Sequence, residues 1–366
     1  MDAVTRCLAG AEPTRRAGKA FPVVAPNSPL RKEPGLMRPA PGWPSVEPAR
    51  SHRAAHRGGG MGREGIHRRA VAALFPGPGT TRTTRVGIEH ELLVRAAGSE
   101  ATVGIERVRA ATAWPIAFEP GGQVEINQPC GPAAAAVRRL RRTVASLRAQ
   151  LGRSGIELDD SPVDHRSPDE VPLQLTSERY LAMQAHFDTI GPAGRRMMRC
   201  TASTQVCLDW WPGRAGFEQW RVLNLAGPHL AATYARSVGP GSRLATWLAV
   251  DPDRTAFDDR LLRDDDPVAA YAAFARRATR FTGPAEHLST LFPPVRPRAR
   301  YLEVRFLDVQ PKERIGEVVD TLCRLMYDDA VRRRVLAQLE PTRPRLGELW
   351  LAAAAGDLVE PGRAVA

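Results

Sequence analysis

Lysine is nearly missing from this chain. Lys19, Lys32 and Lys312 are the whole supply among 366 residues, and arginine fills every other basic position. A Walker-type phosphate loop and Schiff-base catalysis both need a placed lysine. Lys312 sits in PKER with no glycine-rich loop before it, so neither mechanism is expected. Cysteine is sparse too: Cys7, Cys130, Cys200, Cys207 and Cys323 are odd in number, widely spaced and free of any CxxC pair. That pattern argues against a disulfide framework and a structural zinc site. Long hydrophobic runs are absent, since Arg, Pro or Gly breaks each one before the ~18 residues that a membrane helix needs. The N-terminus has no apolar secretory core, and reduced thiols in a cytoplasmic protein with no membrane partner are expected.

The charge that is present is unevenly spread. Residues 1–69 hold 13 Arg and Lys against 5 Asp and Glu, which supplies +8 of the net +12. A pI near 10.3 would otherwise suggest nucleic acid as a partner, but the basic character belongs to this leader. The same segment has nine prolines before position 50, the run Gly58-Gly59-Gly60 and no hydrophobic period. It is expected to be disordered, with His52, His56 and His67 as solvated residues, or to precede a true start near Met61. The catalytic domain is expected over 70–350 and a C-terminal tail over 351–366.

RVGIEHELLV alternates as a strand over 85–95, with Val86, Ile88, Leu92 and Val94 on one side and Glu89 and Glu91 on the other. A second strand is predicted over 117–128, where Gln123, Glu125 and Asn127 share a face. A helix over 132–151 follows, started by Pro132 and carrying Val137, Leu140, Val144, Leu147 and Leu151 at helical spacing. MMRCTASTQVCLDWW, 197–211, alternates as a long strand that points Arg199, Thr201, Ser203, Gln205, Cys207 and Asp209 one way. Helices are predicted at 217–236, 242–250, 267–281 and 312–340, and a strand over 301–308 places Glu303 beside Arg305. Polar-faced strands separated by helices of unequal length predict an α+β fold, an antiparallel sheet forming a cup with helices on its outer face.

Gathered on one concave surface, Glu89, Glu91, Glu119, Glu125 and Glu303 could not all ionise without compensating cations. Oxygen ligands without clustered His or Cys favour Mg²⁺ or Mn²⁺ over zinc. Such ions pair with phosphates, so a nucleoside triphosphate is the expected third partner, with Arg in place of the missing lysine. His90 falls on the apolar side of its strand and is expected to be a packed, hydrogen-bonded residue.

GIEHE, FEPGGQVEI, RYLAM, MMRCTASTQV, the arginines of SRLATW and DPDRT, and HLSTLFPPVRPRARYLEVRFLD together resemble the glutamate-cysteine ligases, in particular their actinobacterial, ergothioneine-pathway branch. The resemblance runs from about residue 85 to 350. It implies a glutamine-synthetase-like fold and the ATP-dependent joining of L-glutamate and L-cysteine into γ-glutamylcysteine. It further implies Glu89, Glu91, Glu119, Glu125 and Glu303 as metal ligands, and Arg254 and Arg243 at the ATP phosphates. Arg305 and Arg199 would then hold substrate carboxylates or the transferring phosphoryl group. Gln123, Gly121 and Gly122 would lie against substrate, the glycines allowing close backbone approach. Two departures stand out: Tyr234-Ala235-Arg236-Ser237-Val238 replaces a FANSP-like run, and the connection from DPDRT to HLSTLF is short. The residues alone leave open another amine acceptor, or a degenerate homologue that binds without catalysing.

Overall fold

The long strand β1, Val86–Ala96, organises the molecule because its alternation serves two environments at once. In the computed structural model, which describes residues 63–77 and 79–358, six further strands join it. These are β2 (Ala117–Phe118), β3 (Val124–Gly131), β4 (Ile156–Asp159), β5 (Thr204–Asp209), β6 (Val295–Arg298) and β7 (Tyr301–Val304). Their order is β2-β3-β1-β5-β7-β6, with β4 also on β1, and every pairing is antiparallel. The α+β class follows directly.

The longer helices are α1 (Arg63–Ala72), α2 (Ala133–Gly152), α3 (Glu178–Asp188), α4 (Ala193–Cys200), α5 (Gly213–Thr233) and α6 (Arg243–Val250). Four more follow: α7 (Pro267–Arg277), α8 (Ile315–Tyr327), α9 (Asp329–Leu339) and α10 (Leu346–Ala355). No helix among the described residues is long and apolar enough to cross a membrane.

Register decides which residues share a face. Glu91 stands opposite Glu125, Glu89 opposite Asn127 on one side and Gln205 on the other, and Cys207 opposite Glu303. The alternate positions, Val86, Ile88, Leu92, Val124, Ile126, Val206, Leu302 and Val304, are all buried. Helix α2 lies against β1, β3 and β4, and its buried Val137, Leu140, Val144, Leu147 and Leu151 form the stripe that its spacing predicts. His90, on this apolar side, bonds through Nδ1 to Thr204 Oγ1 at 3.0 Å. Burial, then the charges of Arg148 and Arg236, holds its ring neutral by lowering its pKa to about 3.

Helices also stand on the polar side. A second, smaller core joins Met183 and Phe187 of α3, Met197 and Met198 of α4, and Trp247 and Val250 of α6 to Phe292. The Arg305 guanidinium, rising from the polar side just after β7, lies over the rings of Trp247 and Phe292. The cup is thus lidded as well as backed.

Several expected elements differ. The strand expected over 197–211 is helix up to Cys200, because Gly194, Met197 and Met198 bury themselves at three-and-four spacing in 193–200, and only 204–209 enters the ladder. Cys200 and Cys207 therefore do not share a strand. The helix expected over 312–340 breaks at Asp328, whose extended backbone (ψ 108°) and side chain, accepting from Ala330 N and Val331 N, start α9 afresh. Strands β4 and β6 escaped the pattern because each is four residues long and β6 contains Pro297. Of the expected leader, residues 63–69 belong to α1, and 1–62 lie outside the described residues, His52, His56 and Met61 among them. Residues 351–355 of the expected tail complete α10.

Candidate functional site

Strands β1 and β3 bring Glu91 and Glu125 face to face, and the FEPGG turn returns Glu119 to meet them. That turn is closed by Glu119 N donating to Gln123 O at 2.9 Å and Gly122 N to Glu119 O at 2.8 Å. Carboxylate oxygens of Glu91, Glu119 and Glu125 all lie within 4.8 Å of one another. Burial, then the charges of Glu125 and Glu91, pushes the Glu119 carboxyl well above its usual range. Burial likewise raises Glu91, against the pull of Arg243 and of hydrogen bonds from Ser203 N at 2.8 Å and Gln205 Nε2 at 2.7 Å. Oxygens sharing one Mg²⁺ at ~2.1 Å stand up to ~4.2 Å apart, so small side-chain rotations would fit this all-oxygen trio to a hard divalent cation.

The other two expected ligands are placed differently. Glu303 is 1% exposed and lies among three guanidiniums: Arg296 donates to it at 2.7 and 3.0 Å, Arg298 at 3.2 Å, and Arg305 closes the set. Burial alone would raise its pKa, but Arg296, Arg305 and Arg298 overcome that and hold the carboxyl well below the usual range. A carboxylate so engaged has few lone pairs left for a metal, and the structure does not bring it into the trio. Glu89 stands between the two groups, with Cys207 Sγ at 3.8 Å, and burial followed by the charges of Glu303 and Glu125 lifts it to about 8.

The polar face therefore runs from acidic to basic. At its basic end Arg305 Nη1 donates to Gln205 Oε1 at 2.8 Å, and Arg243 Nη2 donates to Arg305 O at 3.0 Å. Three buried donors on one small cleft have no acceptor: Nε of Arg305, Nε of Arg243 and Nε1 of Trp247. Buried polar groups are seldom left so, and a set composed only of donors suits an anion. Sequence reasoning missed Trp247, and also Arg296 and Arg298. The alternation in VRPRAR was the available signal for the last two.

Five expected residues lie against protein instead of an open face. Arg254 is fully buried, with donors on Asp251, Thr279 and Thr290 and its guanidinium over the Phe281 ring. Arg199 ends helix α4 and donates to the carbonyls of Pro168 and Val171 and to Gln184, which removes it from the strand face assigned to it. Gly121 is bare because the Arg199 backbone passes there: a Cβ would stand 2.3 Å from its carbonyl oxygen. Gly122, at φ +91°, makes room for Gln174. Gln123 donates to Thr201 O at 3.0 Å, and its buried Oε1 has no donor.

The motifs that carry this face all fall within residues 85–355, the stretch that matches the model of glutamate-cysteine ligase family 2. The chain belongs to that family. Its similarity to glutamate–cysteine ligase EgtA of Mycolicibacterium smegmatis is 34% identity over 278 residues, which is 63% of this chain and 63% of that protein. The EgtA of Mycobacterium tuberculosis is 31% identical over 296 residues, covering 65% of this chain and 67% of that protein. The fold of this family member can be superposed on the Francisella tularensis glutamate–cysteine ligase crystallised with AMP at a TM-score of 0.43 and 11% identity. That superposition covers 76% of this chain and 84% of the other.

Proposed function

We propose that this protein is an ATP-dependent glutamate–cysteine ligase, forming γ-glutamylcysteine, ADP and phosphate from ATP, L-glutamate and L-cysteine, and that it feeds ergothioneine synthesis in the cytoplasm. The observation that carries this reading is the bipolar face: a cation-seeking carboxylate trio and an anion-seeking guanidinium cluster on one sheet of a family member. A carboxylate and an ammonium do not condense at neutral pH, so the γ-carboxylate must first become an acyl phosphate, and the cysteine amine must then lose a proton and attack it.

Glu91, Glu119 and Glu125 would hold Mg²⁺ or Mn²⁺, with Glu89 at the edge of the set. The ion would offset the repulsion between phosphates and substrate carboxylate. Arg305 is held in place by Gln205 and Glu303, and its Nε is buried without a partner. With Arg243 and Trp247 it would receive an anionic oxygen of substrate or phosphoryl group, through donors positioned before the reaction begins. The overlying α3, α4 and α6 would limit water, which otherwise competes with the amine for the acyl phosphate.

Phosphate release from ATP, Mg²⁺ and glutamate, measured with and without cysteine, tests this. Cysteine-dependent release together with γ-glutamylcysteine in the mass spectrum is expected. Stronger stimulation by another amine would replace cysteine as the acceptor, and nucleotide binding without turnover would mark a non-catalytic homologue.

A further inference from the structure

The three carboxylates of the trio are not held equally. Glu91 is fixed by Ser203 and Gln205, and Glu125 stands on β3 with Asn127 donating to it. Glu119 lies in the turn after β2, so its position depends on how firmly that turn is held. Two side chains pin it: Gln123, inside the turn, donates to Thr201 O at 3.0 Å, and Gln174 ties it from outside. Gln174, in the extended segment before α3, donates through Nε2 to Gly121 O at 3.0 Å and Val103 O at 3.3 Å, and accepts through Oε1 from Ile105 N at 3.0 Å. Its backbone N donates to Pro120 O at 2.7 Å. The carboxamide lies on the bare α-carbon of Gly122, where a Cβ would come within 2.2 Å of Nε2.

We infer that Gln174 is a positioning residue: by clamping the 119–123 turn to the 103–105 segment it sets where Glu119 stands, and so sets the divalent-cation affinity of the trio. The inference rests on the cation role proposed above. Partners that orient a ligand commonly govern metal affinity by ~10–100-fold.

The test is Mn²⁺ binding to full-length protein without nucleotide, read by electron paramagnetic resonance of the free ion, alongside thermal melting. Gln174→Leu and Gly122→Ala, which attack the same contact from opposite sides, should each weaken Mn²⁺ by ~10-fold or more. Gln219→Leu loses bonds to Met326 O and Trp211 N far from the trio's turn, and should melt lower while binding Mn²⁺ as wild type does. Wild-type affinity in Gln174→Leu, alongside lost affinity in Glu119→Gln, would reduce Gln174 to a structural residue and overturn the inference. If Gln174→Leu does not fold, wild-type affinity in Gly122→Ala overturns it equally. Unchanged affinity in Glu119→Gln would sink the cation role itself, and the inference with it.

Discussion

Arg296 grips Glu303 through both carboxylate oxygens, Nη2 to Oε1 at 2.7 Å and Nε to Oε2 at 3.0 Å, with both side chains buried. Two-pronged geometry of this kind is among the strongest that proteins use, and here it anchors the basic half of the face.

Replacing Glu303 by Ala should therefore act on stability before it acts on metal. It leaves Arg296 buried without its counter-charge and removes the partner of Arg298 and Arg305. The expected loss is about 3–5 kcal/mol in equilibrium denaturation. Mn²⁺ affinity should fall less than in Glu119→Gln. A stable Glu303→Ala protein that has lost Mn²⁺ binding would restore Glu303 to the metal ligands.

Crowded carboxylates make the opposite prediction for the trio. Glu119→Gln and Glu125→Gln should each lower cation affinity at least ~10-fold, yet raise the melting temperature of metal-free protein, because a buried like-charge contact is relieved. Added Mn²⁺ should stabilise wild type by about 2.7 kcal/mol at a hundredfold excess over Kd. Calorimetric melting with and without the ion reads both effects, and a wild-type curve indifferent to Mn²⁺ would contradict the assignment.

Gly121→Ala should be poorly tolerated. Its Cβ would press on the Arg199 backbone from 2.3 Å, and backbone cannot swing aside as a side-chain tip can. A loss of at least ~2 kcal/mol is expected. Gly104→Ala, with nothing within 4 Å of its Cβ, should stay within ~0.5 kcal/mol of wild type. Urea unfolding of the pair separates a packing requirement from a general dislike of replacing glycine.

Acid should unlock the loop bearing Asp164. Burial would raise this carboxyl, but hydrogen bonds from the Arg166 side chain and backbone outweigh it and hold the pKa below its usual value. A depressed folded pKa gives stability that is complete above the unfolded value of ~3.9 and is lost as pH falls through the folded one. Asp164→Asn should therefore cost about 2 kcal/mol at neutral pH, and the gap to wild type should close below about pH 4. A gap that persists undiminished well into acid would show that shape, not charge, makes the contact.

Native alkylation should rank the described thiols by access. Cys207 is 4% exposed and pushed well up by burial and then by the Glu89 charge, and burial raises Cys200 to about 11 and Cys323 to about 12. Cys130, half-buried on β3, should be modified first under iodoacetamide with peptide mapping. Early labelling of Cys207 would mean that the polar face opens readily.

Period-two alternation made β1 legible. It assigned Glu89 and Glu91 to one face and His90 to the other, and the ladder keeps that division because a slip of one residue would bury the glutamates against α2. The α2 stripe was legible for the same reason at a different period. The same rule failed at 197–200, where the alternation read over 197–211 overrode the helical spacing of Gly194, Met197 and Met198. Short strands lay beneath its reach, as β4 and β6 show.

By itself the sequence determined the antiparallel α+β character, the polar face and its acidic residues, because side-chain periodicity is a local property that any window of the chain carries. Only the tertiary structure decided how those residues are shared out. It gathered Glu91, Glu119 and Glu125 into a trio, gave Glu303 to Arg296, Arg298 and Arg305, and turned Arg199 and Arg254 toward protein carbonyls. The reason is that a charge takes its partner from whatever the fold sets within a few ångströms, and side-chain periodicity says which face a residue is on but not which residues stand beside it there.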